Sequence, residues 1–244
     1  MNFFYSILNQ VDDMFLPPFL VTQQTYVLYL LFLLSYSIAS FSGFVVDMKF
    51  DPTRHIQETH RSKMRVCGDY FKALPLVSFN VFVTIPLSIL IFQPLQSTMQ
   101  PFNFYQLLHI PAYVIISDFV FYVIHRLLHT SKLYKIHKIH HRFTRPMALA
   151  SIYSHPLEIF FGNIVPLFVP IVIFNSSFPI LYAWTFLITF ETTYSAHSGI
   201  KNRGGEGHDL HHKLFNFNYG SGFLIFDKLF GTYMREERFP LKRQ

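Results

Sequence analysis

Residues 118–141 read DFVFYVIHRLLHTSKLYKIHKIHH, an apolar run that carries one acid, Asp118, and ends in five histidines. His125 and His129 stand at i and i+4, so both leave one face of a helix where the run ends. HKIHH at 137–141 has the spacing i, i+3, i+4, and HDLHH at 208–212 repeats it. On helices these spacings gather His137, His140 and His141, and likewise His208, His211 and His212, so that each motif is expected to offer its imidazoles to one point. His155 and His197 bring the set to ten. One metal ion takes about four to six ligands, so eight to ten imidazoles imply two metals. His55, His60 and His109 stand apart and read as solvated or dipole-compensating residues.

Around these motifs the chain is apolar. Of 244 residues 51% are hydrophobic, with 30 Phe and 14 Tyr, and only 14% are charged, against about a quarter in ordinary soluble domains. Cys67 is the single cysteine, which excludes an intrachain disulfide. The opening MNFFYSILNQVDDMF lacks a basic stretch and carries Asp12 and Asp13, so the first apolar segment is expected to stay as an anchor.

Five stretches approach the twenty or so residues that span a bilayer: Tyr26–Phe44, Leu74–Phe92, Tyr105–Ile124, Leu157–Phe174 and Phe178–Tyr194. Prolines 86, 111, 166 and 170 interrupt them, which membrane helices tolerate when neighbours satisfy the freed backbone groups. If all five cross, all 20 Lys and Arg fall on the side that carries 45–73, 125–156 and 195–244. The positive-inside rule makes that side cytosolic, and four crossings in two hairpins would keep the same face. The fold expected is all-α: a polytopic bundle of four to five membrane helices with a cytosolic, histidine-rich di-metal cap. It is one structural unit in which 1–104 form an N-terminal membrane region and 105–244 the catalytic region. The net charge of +6 suits an anionic leaflet, and no soluble basic domain is present to bind nucleic acid.

The stretches DFVFYVIHRLLH, LYKIHKIHHRFTRP, SHPLE, AHSG, HDLHHKLFNFNYG and FDKLFGT follow one another as in the fatty acid hydroxylase superfamily, which the chain resembles over Asp118–Thr232. That superfamily contains sterol C4-methyl oxidases, sterol C5 desaturases and cholesterol 25-hydroxylase. The resemblance implies an integral membrane oxygenase of the endoplasmic reticulum that holds two irons on histidines and uses O2 to oxidise a C–H bond of a sterol or other long-chain lipid. Zinc could replace the irons in purified protein. His125 and His129 match the first histidine box, His137, His140 and His141 the second, and His208, His211 and His212 the third; His197 and His155 match further family histidines. The segment HSGIKNRGGEGH, 197–208, is shorter and richer in glycine than in the sterol methyl oxidases, which leaves the substrate open.

Neutral imidazoles leave a dimetal site strongly cationic, so anionic outer partners are expected. Asp118, two turns before His125 on its face, is the first candidate, with Glu191, Glu158 and, as a partner of Asp118, Tyr122. The run FNFNYGSGFLIFDKLFG is too short to span and reads as interfacial packing. No haem, flavin or dinucleotide module is evident, so electrons are expected from outside, by family analogy from cytochrome b5 and its reductase. Desaturation on the same boxes, a metal transporter and a silent scaffold compete with this reading. A transporter should place paired polar residues at midplane depth, whereas these histidines crowd one interface.

Overall fold

The computed structural model describes residues 21–48, 63–144, 147–198 and 206–235; His55, His60 and most of the glycine-rich 197–208 segment lie outside them. Helix α1, Gln23–Met48, has 26 residues, about 39 Å at 1.5 Å per residue. Its buried stripe, Leu28, Phe32, Tyr36, Ala39 and Gly43, follows helical spacing, while Leu34, Ile38 and Phe41 face outward. A helix apolar on both sides is what a lipid-facing span requires. Gly43 meets Ala148 so closely that a Cβ there would lie 2.3 Å from the alanine Cβ, an approach only glycine permits.

Helix α2 (Lys63–Phe79), a π-helical turn (Asn80–Thr84) and α3 (Ile85–Ile91) follow. Then come α4 (Ile110–Leu128), α5 (Tyr134–His137) and α6 (Pro156–Glu158). A second π turn (Ile159–Ile164) leads into α7 (Val165–Ile173). Helix α8 (Phe178–Phe190) runs into a third π turn (Glu191–Ser195), and α9 (Glu206–Leu214) and α10 (Ile225–Leu229) are the last elements among the described residues. Every regular element among the described residues is helical.

Among the described residues four continuous helical runs are long and apolar enough to cross a membrane: Gln23–Met48, Val66–Ile91, Phe104–Leu128 and Pro156–Ile173. The second begins eight residues before the expected Leu74 and the third ends four after Ile124, because helix continues into the more polar flanks. The fifth apolar stretch folds as the 13-residue α8 and its π turn, and packs along α1 more extensively than any other pair of elements. It traverses the same layer as α4. At one end Ser177 Oγ donates to Gln106 Oε1 at 2.5 Å and Tyr113 bonds Ser176; at the other, His197 meets His140. His109, at the end far from the other histidines, closes the 3-10 turn Phe104–His109 half-buried and stacks on Phe174 with ring centroids 4.5 Å apart.

Side chains of neighbouring helices satisfy backbone groups left open in the bundle. Pro170 has no N–H for the carbonyl of Pro166, and Ser117 Oγ on α4 donates to that oxygen at 2.6 Å. Asn80, fully buried on the first π turn, donates to the carbonyls of Ile152 and Ser154, both at 2.8 Å, and so fixes the loop before α6. Pi turns concentrate at functional sites because they re-aim side chains, and residues of the second and third line the cavity described below.

Candidate metal centre

Nine of the ten expected histidines converge. Their ring nitrogens form one group of five, His125, His129, His137, His141 and His211, and one of four, His140, His197, His208 and His212; within each group the nitrogens lie within 4.8 Å of one another. The groups adjoin, with the rings of His141 and His212 4.8 Å apart.

Each His-x-x-His-His triplet serves both groups, which corrects the expectation that a triplet aims at one point. At 3.6 residues per turn, neighbours in sequence diverge by about 100°, so the residues at i+3 and i+4 lean to opposite sides of residue i. His137 and His141 therefore enter the first group and His140 the second. On α9, His208 and His212 enter the second and His211 the first. The 137–141 stretch is also not one helix: α5 ends at His137 and a 3-10 turn takes His140–Arg142. His155 lies outside both groups. Its Nδ1 accepts from the N–H of Leu157 at 3.2 Å, capping the start of α6.

Outer partners fix the tautomers. Nδ1 of His125 donates to the carbonyl of Tyr219 at 2.6 Å, His211 to Phe217 at 2.7 Å, His208 to Gly220 at 3.2 Å and His197 to Thr192 at 2.6 Å. His137 Nδ1 donates to Glu158 Oε1 at 2.7 Å. Ser154 Oγ donates to the same oxygen at 3.4 Å, which leaves it to accept from His140 Nδ1 at 3.0 Å. These six rings carry hydrogen on Nδ1, so their Nε2 atoms present lone pairs. His125 and His137 face each other Nε2 to Nε2 at 3.0 Å, and His140 and His197 at 3.4 Å. Neither pair has a hydrogen to share. Facing lone pairs repel unless a cation lies between them, and one such pair occurs in each group. The buried Nε2 atoms of His208 and His212 likewise have no protein partner. The donor set therefore fits metal ions.

Protons do not fill this role. Burial, with the neighbouring imidazoles adding to it, holds His140, His208, His211 and His212 well below the ordinary histidine range, and burial brings His197 and His129 down to about 4 and His137 to about 2. The His137–Glu158 contact is accordingly a neutral imidazole N–H on a carboxyl oxygen. In an unfolded chain these rings take up protons near 6.5, but His129 and His197 in the fold do so only near 4. The folded state binds fewer protons between those values, so stability is complete above pH 6.5 and falls as pH drops toward 4. The apparent melting temperature of metal-free protein in detergent should fall between pH 7 and 5, and less in His129→Gln/His197→Gln; a flat profile would contradict the assignment.

The four acidic and phenolic candidates divide. Glu158 touches the centre through His137 and Ser154. Tyr122 does not pair with Asp118: its hydroxyl accepts from Arg126 at 2.9 Å and meets Thr232 Oγ1 at 3.2 Å. Asp118 is buried, with no strong hydrogen bond to either oxygen, and one of them would lie 3.1 Å from a Cβ at Gly220. Glu191 lines a cavity. Asp227 and Ser154 escaped the sequence reading. The stretch after the third box is more than packing, since three of its carbonyls hold imidazoles. A buried aspartate inside LIFDKLF was the available signal.

Beneath the histidines lies a cavity of about 500 Å³ whose walls include Val114, Phe121, Leu167, Trp184 and Ile188. His125, His137, His140, His197 and His208 border it, so both groups open on the same apolar space. Its volume is in the range of small-molecule sites.

An all-helical membrane protein with two adjoining imidazole clusters over an apolar cavity is the class these features define. The fatty acid hydroxylase family profile matches residues 110–232, and the chain belongs to that family. It is 32% identical over 182 residues to methylsterol monooxygenase 1 of Gallus gallus, covering 70% of this chain and 60% of that one. It is 35% identical over 178 residues to very-long-chain aldehyde decarbonylase GL1-8 of Oryza sativa subsp. indica, covering 64% and 66%. It is 34% identical over 156 residues to a Delta(7)-sterol 5(6)-desaturase of Aspergillus fumigatus, covering 59% and 43%. The chain thus spans between about two fifths and two thirds of the length of these relatives. No solved structure matches it.

Proposed function

We propose that the protein is a di-iron oxygenase that oxidises a C–H bond of a sterol or other long-chain lipid with O2 and external electrons, on the cytosolic face of the endoplasmic reticulum. The observation that carries this reading is the facing of Nε2 lone pairs in both groups above one apolar cavity. Bound iron would supply redox chemistry with O2 that zinc in the same shell lacks. His125, His129, His137, His141 and His211 would hold one ion, and His140, His197, His208 and His212 the other.

The chain's own part is positioning. Carbonyls of Thr192, Phe217, Tyr219 and Gly220 keep four imidazoles in the binding tautomer, and Glu158 does so for His137 directly and for His140 through Ser154. Burial keeps the rings unprotonated and water out. Phe121, Leu167 and Trp184 give the lipid body an apolar wall, and binding in one orientation is what selects one carbon. For hydroxylation the balance is C–H + O2 + 2 e⁻ + 2 H⁺ → C–OH + H2O. The two electrons come from a separate donor, for which cytochrome b5 and its reductase fit, and a basic flank that includes Arg126, Lys132, Lys135 and Lys138 suits an acidic partner. Glu191 on the cavity wall is assigned to the substrate side, and Asp118 to support of the loop at Gly220.

Nanodisc-embedded protein, with cytochrome b5, its reductase and NADH, should convert a sterol or long-chain lipid under 18O2. A product heavier by one 18O atom marks hydroxylation, and loss of two hydrogens without label marks desaturation on the same site. An unchanged lipid pool with a demonstrably reduced donor would sink the proposal.

A further inference from the structure

The segment after the third histidine triplet reaches both imidazole groups at once. Phe217 O and Tyr219 O accept from His211 and His125 of the first group, and Gly220 O accepts from His208 of the second. Four residues thus supply three acceptors. The backbone in and beside this stretch is not relaxed: Asn218 within it, and Phe215 and Leu224 on its two sides, have φ between 54° and 66°, a region that non-glycine residues seldom occupy without support.

That support converges on one carboxylate. Asp227, with no exposed surface, accepts from the N–H of Tyr219 on Oδ1 and from that of Gly220 on Oδ2, both at 2.8 Å, and from Thr232 Oγ1 at 2.7 Å. Its carbonyl accepts from the N–H of Thr232 at 2.9 Å, and the carbonyl of Thr232 in turn accepts from the N–H of Asn218 at 2.9 Å. Each peptide that carries an acceptor carbonyl for His125 or His208 therefore neighbours an amide held by Asp227. The space is tight from the other side too. A Cβ at Gly220 would stand 3.0 Å from Asp227 Oδ2 and 3.1 Å from Asp118 Oδ1, so a larger residue there has to push these carboxylates, and with them the clamp, by a few tenths of an ångström.

We propose that Asp227 is a positioning residue for both metal subsites: by clamping the 217–220 backbone it sets the Nδ1–H tautomer of His125, His208 and His211 together. This inference rests on the reading of the two groups as metal-holding. His137 and His197 are outside the clamp, because Glu158 and the carbonyl of Thr192 hold them, and they serve as internal controls.

Two variants test it. Asp227→Asn keeps the shape but turns an NH2 toward one of the two amides, which cannot accept it. Gly220→Ala keeps every charge and displaces the Gly220 carbonyl. In metal-free protein labelled with 15N-histidine, imidazole nitrogen shifts of Asp227→Asn should show His125, His208 and His211 losing the pure Nδ1–H form while His137 and His197 retain it; in Gly220→Ala the change should centre on His208. Cobalt(II) affinity should fall about 10- to 100-fold, the usual cost of losing an outer partner. If Asp227→Asn fails to fold, Asp227→Glu, which keeps both acceptor oxygens but displaces them from the two amides, replaces it with the same readout at His125, His208 and His211. Unchanged tautomers and cobalt affinity, or equal changes at all five histidines, would overturn the clamp. Failure of the wild-type protein to bind cobalt or iron would instead sink the two-metal reading, and the tautomer comparison would still judge Asp227.

Discussion

His211→Ala should abolish lipid oxidation and reduce iron in the purified protein, a larger effect than the about 10- to 100-fold cost of losing an outer partner. His211 stands centrally in the group of five, with Nε2 at 3.1 Å from Nε2 of both His129 and His141, and its removal leaves a gap that no described side chain fills. His212→Ala should deplete the other group. The contrast is His155→Ala. Family likeness makes His155 a ligand, whereas its place at the start of α6 makes it a cap, so its loss should leave the iron intact and cost about 1 kcal/mol of stability. Iron analysis of the three variants separates these outcomes; a His155→Ala protein depleted like His211→Ala would overturn the present ligand set.

Gly162→Phe should stop turnover while leaving the iron in place. Gly162 lines the cavity on the second π turn, and a Cβ added there meets only Glu158 Cγ, at an ordinary 3.8 Å. Alanine therefore fits, whereas a phenyl ring has to enter the space assigned to the lipid. Displacing a substrate by about 1 Å can cost about 100-fold in rate, and a ring in the cavity displaces it further. Gly162→Ala should retain activity. Full activity in Gly162→Phe with the same lipid would show that the cavity is not where the substrate binds.

The helical bundle was legible because membrane spans announce themselves by length and hydropathy alone, and four of the five apolar stretches meet both criteria in the structure. Their ends were less legible: helix continues through Lys72 and through His125–Leu128, where composition turns polar but nothing breaks the backbone. That the histidines gather on one face was legible from the repeated boxes and the side on which they fall, and His197 was singled out by the family resemblance. Their division was not, since whether i+3 and i+4 share a target depends on where the second cluster sits, which is tertiary information. His155 stands apart from both groups because a histidine before Pro156 also satisfies an N-terminal amide, a role that spacing does not announce. Asp227 and the carbonyls of 217–220 were hidden for a different reason. Backbone acceptors carry no sequence signature, and the acid that holds them acts through hydrogen bonds to amides that any residue could supply.

Iron and protein measured on the same sample, from cells grown with ample iron and purified gently in detergent, test the central claim most directly. The account predicts about two irons per chain, as expected for nine imidazoles shared between two ions. A preparation that holds no iron, or whose metal survives the combined loss of His211 and His212, would contradict it.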